Sequence, residues 1–252
     1  AEEIWKRYGN KMKELHNTLR KGSGEYGAVH GNRLVWASQP THAMEWMEAV
    51  VDGKPVTGRG GYQVEINALG YNAICYALEL GRRHKDTKFV SQWKDMPELV
   101  QRSFLETFWY DGEGYFADYV DDKGQHTFIR PNPVIACSLE YFLVDQKQII
   151  RLLQILRQPL LTPNGLRTLS PRNPDYEGRY DGDQPTRDRQ YHQGTVWPWP
   201  LEHYVQANFN LYGKAFLHDA EEILAGFDEG ISAYGIGSIA EIYDGDPPHA
   251  PK

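Results

Sequence analysis

One segment constrains the fold more than any other. Residues 64–84 read as a helix of nearly six turns with no polar face: Ile66, Leu69, Ala73, Ala77 and Leu80 form one apolar stripe, and Tyr71, Ile74 and Leu78 form a second. A helix that is apolar on two sides is predicted to be buried on both, as in a layered helical domain rather than at the edge of a sheet. Six further helices follow from 3.6-residue periodicity and stop signals: 2–21, 90–108, 133–143, 146–157, 195–211 and 214–231. In the last, Phe216, Ala220, Ile223, Phe227 and Ile231 share a face, and Gly213 breaks the chain before it. Thr195 is a plausible N-cap for the 195–211 helix, with Pro198 in its first turn.

Between these helices run polar loops rich in Gly, Pro and Asp, at about 22–63, 110–131, 161–194 and 232–252. Loops of this length usually carry function. Short β-hairpins fit inside them, one around Asp121-Asp122-Lys123-Gly124 between Tyr115 and Phe128. The expectation is an all-α scaffold with its chemistry on loops. The chain stops in a Pro-rich loop, Asp246-Pro247-Pro248-His249-Ala250-Pro251-Lys252, which reads as the end of a fragment.

Composition removes several function classes. The 252 residues carry a net charge of −7, against phosphate-backbone binding and so against a nucleic-acid partner. No apolar run approaches the roughly 20 residues of a membrane helix, so no membrane partner is expected. The two cysteines, Cys75 and Cys137, suggest neither a disulfide scaffold nor a zinc cluster, and no histidine pair has metal-ligand spacing. Gly235-Ile236-Gly237-Ser238-Ile239-Ala240 matches a dinucleotide fingerprint but follows a helix, not a strand. Gly58-Arg59-Gly60-Gly61 lacks the Lys-Ser/Thr of a phosphate loop. No metal or organic cofactor is implied.

What remains is 7 Trp, 16 Tyr and 9 Phe, with loop-borne carboxylates beside them. Glycosidic bond hydrolysis needs two carboxyl groups, one protonated and one ionised, over aromatic faces that stack on sugar rings and planar polar groups that hold hydroxyls. Glu45-Trp46-Met47-Glu48, Val64-Glu65-Ile66-Asn67, Arg130-Pro131-Asn132, Arg187-Asp188, Tyr191-His192-Gln193-Gly194-Thr195-Val196-Trp197-Pro198-Trp199 and Glu241-Ile242-Tyr243-Asp244 supply both sets. Taken singly, each Trp is better explained by a core and each acid by a cap or a solvated loop.

Six segments in order lift the reading above that. Glu45 to Glu48, Val64 to Leu69, Arg130 to Asn132, Thr162-Pro163-Asn164-Gly165-Leu166-Arg167-Thr168-Leu169, Tyr191 to Trp199 and Glu241 to Asp246 resemble the C-terminal amylo-α-1,6-glucosidase domain of glycogen debranching enzymes, the prokaryotic and archaeal branch above all. The resemblance covers about 30–252. It implies an (α/α)6 barrel of the six-hairpin type, here an incomplete barrel in one domain over 1–252, truncated at both ends. It also implies a cytoplasmic protein, an α-glucan partner and an inverting exo-glucosidase that removes α-1,6-linked glucose stubs. A weakened relative that only binds α-glucan, or another barrel glucosidase, are the alternatives. Carried over by motif, the general acid is Glu48 and the general base Glu241. The sugar-binding set is Trp46, Glu65, Asn67, Arg130, Asn132, Arg167, Asp188, His192, Gln193 and Trp197. Three departures stand out: Glu48 replaces the family's Asp, Gly70 a Trp and Pro133 a Gln. If Glu48 and Glu241 form an inverting pair, they face one cleft with their carboxyls roughly 6.5–9.5 Å apart. Glu48 should then be held protonated by an apolar wall or a neighbouring carboxylate.

Overall fold

The computed structural model describes residues 2–22, 27–39, 41, 43–233 and 237–252. The dinucleotide-like glycine run begins outside the described residues. The helices are α1 (Glu2–Lys21), α2 (Val64–Arg83), α3 (Thr87–Trp93), α4 (Met96–Phe108), α5 (Pro133–Ser138), α6 (Gln146–Leu160), α7 (Gln184–Gln190), α8 (Pro200–Tyr212), α9 (Leu217–Ala225) and α10 (Asp228–Ala233). Among the described residues, no helix is long and apolar enough to cross a membrane.

α2 is the axis of the first half. Its Val64, Ala68 and Tyr71 join a core with Phe104 and Phe108 of α4, while Ile74, Ala77 and Leu78 pack on Trp5 of α1 and on Phe89 and Trp93 of α3. α5 lies between α2 and α8, and α6 packs on α5 and α8. The amphipathic α6 buries Ile149, Leu152, Leu153 and Leu156, as its periodicity requires. It opens with a reciprocal cap, in which the Gln148 amide donates to Asp145 at 2.8 Å and the Asp145 amide to Gln148 Oε1 at 3.0 Å.

Several expectations need correction. α2 is not buried on both sides: Leu69 is 44% and Tyr76 37% exposed, and Ala73 also faces outward, so the described residues leave the Leu69–Ala73–Tyr76 face open. The 90–108 segment is two helices, since Pro97 cannot continue α3 and instead occupies the first turn of α4. The fourth helix ends at Ser138, not 143. The segment 195–211 starts late. Val196–Trp197 is a strand, hydrogen-bonded to Gly165–Arg167 and through it to Leu161–Thr162, and the helix begins at Pro200. Thr195 is therefore no cap; its hydroxyl donates to the Tyr191 carbonyl at 2.6 Å. The 214–231 segment divides into a 3-10 turn, α9 and the start of α10, and α7 occupies part of a predicted loop.

The scaffold is helix-rich but not purely α. Short antiparallel strands stitch the loops, including the expected hairpin Tyr119–Asp121 with Gly124–His126, which also pairs with Tyr62–Gln63 just before α2. Tyr115–Phe116 pairs instead with Trp109–Tyr110. These ladders bring the ends of α2, α5 and α8 together with the loops 43–61 and 241–246.

Candidate active site

The floor of the site is a buried ion network centred on Arg59. Its guanidinium donates to both oxygens of Glu65 at 2.6 and 2.7 Å, to both oxygens of Asp118 at 2.7 and 3.1 Å, and to Glu45 Oε2 at 2.9 Å. The four side chains are at most 2% exposed. Glu65 opens α2, Asp118 precedes the Tyr119–Asp121 strand, and Glu45 sits in the loop 43–49. One arginine thus joins three elements, with the bidentate geometry that a lysine cannot supply.

A second arginine extends the floor. Arg130 donates to the Thr168 carbonyl at 2.8 Å, the His192 carbonyl at 2.7 Å and Gln193 Oε1 at 2.5 Å. Its Nε lies 3.7 Å from Asp118. Burial, the larger cause, with Arg59 beside it, draws its pKa down to about 10. Asn132 bridges floor and wall: its amide donates to Asp118 Oδ1 at 2.8 Å, and its Oδ1 accepts from the Trp46 indole at 2.8 Å.

On this floor stands a cluster of rings. Trp46 meets His192, Trp197 and Trp199 edge to face, with centroids 5.2, 5.5 and 4.7 Å away. His192 lies along Trp197 at 5.1 Å, and Tyr191 caps both. His192 is fully buried and neither ring nitrogen is hydrogen-bonded. Burial first, then the charges of Arg130 and Arg59, push its pKa down to about 3, so the imidazole is neutral at physiological pH.

The two candidate catalytic carboxylates rise above the rings. Glu48 is 62% exposed and its Oε2 lies 3.7 Å from His192 Nε2. Glu241 is exposed and accepts from the Tyr191 hydroxyl at 3.1 Å. The Tyr191 phenol is pushed up by burial, by its bond to Glu241 and by the charges of both Glu241 and Glu48. Both acids therefore act on one tyrosine, although they are 193 positions apart in the chain. Beside Glu241 runs a groove of about 750 Å³, lined also by Trp197 and Trp199 and by apolar side chains of α8 and α9.

The loop of Glu241 is pinned from three sides. Tyr243 exchanges backbone bonds with Val196 at 2.9 Å in each direction. The Tyr176 hydroxyl donates to Asp246 at 3.0 Å, and Arg167 donates to the Gly245 carbonyl at 2.7 Å.

The expected sugar-binding residues fall into two groups. Trp46, Asn132, His192, Gln193, Trp197 and Arg130 gather at the ring cluster and its floor. Glu65 belongs to the floor too, bonded to Arg59. Asn67, Arg167 and Asp188 are engaged elsewhere: Asn67 with the backbone of Val35 and Gln63, Arg167 with the Glu241 loop, and Asp188, on α7, with Gln184. Glu48, where an apolar wall or a neighbouring carboxylate was expected, stands open to solvent among the described residues. The neighbouring Glu45 is the buried carboxyl instead, and burial, ahead of the charges of Glu65 and Asp118, raises its pKa to about 7 against the pull of Arg59. Sequence reasoning missed Arg59, Asp118 and Trp199. Arg59 stood in a glycine run weighed only as a phosphate loop, and Trp199 was legible as the second Trp of Val196-Trp197-Pro198-Trp199. Among the described residues, no cluster of His, Cys, Asp and Glu is arranged to hold a metal.

The chain is similar to the glycogen debranching enzyme of Saccharomyces cerevisiae, 26% identical over 196 residues, which is 64% of this chain and 13% of that enzyme. Among solved structures, the fold is similar to the neutral trehalase Nth1 from Saccharomyces cerevisiae, with a TM-score of 0.58 and 17% identity over 79% of this chain and 37% of that one. It is also similar to a protein described as a sialidase, with a TM-score of 0.68 and 16% identity over 97% of this chain and 21% of that one. The amylo-α-1,6-glucosidase family matches over residues 1–252, and the chain belongs to that family.

Proposed function

We propose that this chain is the catalytic part of a glycoside hydrolase of the debranching type, which removes α-1,6-linked glucose stubs from an α-glucan with inversion. Family membership supports the reaction class, and the observation that carries the residue assignment is Tyr191, whose hydroxyl donates to Glu241 and whose phenol feels the charge of Glu48, beside His192 and Trp197 of the ring cluster, with Glu48 itself 3.7 Å from His192. A glucose ring resting on those aromatic faces would present its glycosidic oxygen to one acid and its anomeric carbon to the other. Glu48 gives its proton to the glycosidic oxygen as the C–O bond breaks. Glu241 takes a proton from the water that attacks the opposite face, so the anomeric configuration inverts. Tyr191, by donating to Glu241 Oε2, fixes that carboxylate and leaves Oε1 for the water. The neutral imidazole of His192 stands 3.7 Å from Glu48 Oε2.

The arrangement of helices supports a six-hairpin barrel as the parent architecture: α2, α5 and α8 follow one another as neighbours, with α1, α3, α4 and α6 packed against them. A second reading has one observation in its favour. Glu48 is open to solvent, which suits a relative that binds α-glucan without cleaving it. Assay of glucose release from a branched limit dextrin separates the two. Glu48→Gln and Glu241→Gln should each abolish release while maltooligosaccharide binding, followed by tryptophan fluorescence, persists. An inactive parent that still binds would establish the second reading, and active variants would overturn the assignment of the acids.

A further inference from the structure

We propose that Glu45 and Arg59 are positioning residues for Glu48: the buried network on the floor sets where the candidate acid stands. The inference rests on the reading of Glu48 as the acid. Glu48 lies in the loop 43–49, which has no helix or ladder of its own before Val50, so side chains must hold its path. Three consecutive residues are anchored inward. Glu45 Oε2 accepts from Arg59 Nη1 and from the Met47 amide, each at 2.9 Å, closing a small ring over Trp46. The Trp46 indole donates to Asn132 at 2.8 Å. The Met47 side chain is fully buried, its sulfur 3.9 Å from Arg130 Nη1 and 4.0 Å from Asn132 Nδ2. The next side chain, Glu48, is the first that points to solvent.

All these anchors converge on Asp118, which binds Arg59 on one side and Asn132 on the other. Asp118 and Glu65 already balance the charges of Arg59 and Arg130. Glu45 is the additional carboxylate, and its Oε1 is buried without a hydrogen-bond partner. Neither arginine needs Glu45 for neutrality. What Glu45 supplies is a single acceptor oxygen that ties Met47 to Arg59, so its work is geometric. A side-chain oxygen at that point suffices, whether the group is an acid, a carboxylate or an amide.

The test compares Glu45→Met, similar in length but without the oxygen, with Glu45→Gln, which retains it. Glu45→Met leaves Arg59 its bonds to Glu65 and Asp118, so the fold should persist; Glu45→Ala is a second truncation should the thioether not be accommodated. Two readouts are taken on the same samples: amide hydrogen exchange across 43–49, and kcat and KM on a branched limit dextrin. Glu45→Met should speed exchange in that segment and leave α2 and α8 unchanged. It should lower kcat by roughly tenfold to a hundredfold, the cost of about an ångström of misplacement, with KM little altered. Glu45→Gln should recover most of the rate and of the protection. Parental exchange and kcat in Glu45→Met would overturn the proposal, as would Glu45→Gln matching Glu45→Met. If the parent releases no glucose, the catalytic reading fails, while hydrogen exchange alone still decides whether Glu45 holds the loop.

Discussion

Two glycines in α2 allow packing and helix propensity to be separated within one element. Gly70 and Gly81 both lie inside the helix Val64–Arg83, and each lowers its stability by about 1 kcal/mol relative to alanine, because glycine loses more backbone freedom on folding. Their surroundings differ. A Cβ at Gly70 would meet nothing within 4 Å, so Gly70→Ala should realise the full gain. For a chain of this size that is an increase in Tm of about 2 °C. A Cβ at Gly81 would lie 3.1 Å from Phe89 Cδ1, 3.4 Å from Val90 Cγ2 and 3.6 Å from Trp5 Cζ2. Phe89 cannot yield easily, since it is wedged between Trp5 at 5.3 Å and Trp93 at 6.2 Å. Overpacking of this kind costs about 1–3 kcal/mol, which cancels or exceeds the propensity gain. Gly81→Ala should therefore be neutral to destabilising by about 2 kcal/mol. Urea titrations of the parent and the two variants measure both. Equal shifts of the same sign would refute the packing of α1 and α3 on this face of α2.

The remaining predictions concern the site. Glu45, with its pKa raised from 4.5 to about 7, contributes stability that is present below pH 4.5 and lost as pH rises through 7. His192, depressed from 6.5 to about 3, contributes stability that is present above pH 6.5 and lost as pH falls through 3. Between about pH 4.5 and 6.5 the two slopes oppose each other at about 1.4 kcal/mol per pH unit, so Glu45→Gln should expose a rising stability there. A urea midpoint for Glu45→Gln that stays flat across that window would contradict it. Trp199, 38% exposed, should lose maltooligosaccharide affinity by up to about tenfold as Trp199→Ala with little change in Tm. The buried Trp197→Ala should instead cost about 3–5 kcal/mol of stability, read in the same titrations. Glu48→Asp should keep or raise the hydrolytic rate of an active parent; a loss beyond tenfold would show that the loop is built for the longer acid.

The helical frame was legible because its signals are local. The bounds of α1 and α2 and the buried face of α6 follow from periodicity and stop signals alone. The break between α3 and α4 was present as Pro97 but was overridden by apolar residues on either side. The strand Val196–Trp197 has no local signature, since its partners Gly165–Arg167 lie some thirty residues away and Tyr243 nearly fifty. At the site, most of the ring cluster followed from one continuous motif, Tyr191 to Trp199, which Trp46 joins from the separate segment Glu45 to Glu48. The floor did not, because Arg59, Glu65, Asp118 and Glu45 share no spacing and meet only through tertiary contact. The same limit explains Glu45 and Glu48: three positions apart and chemically alike, one is buried on Arg59 and the other open, a difference that the tethers of the loop create.

The account turns on Glu48 and Glu241 acting as an inverting pair, and the anomer released first reports on that directly. Proton NMR of a branched limit dextrin, recorded within the mutarotation time after adding protein, should show β-glucose appearing before α-glucose, with no glucose in Glu48→Gln or Glu241→Gln. Initial release of α-glucose, or β-glucose released equally by either variant, would contradict it.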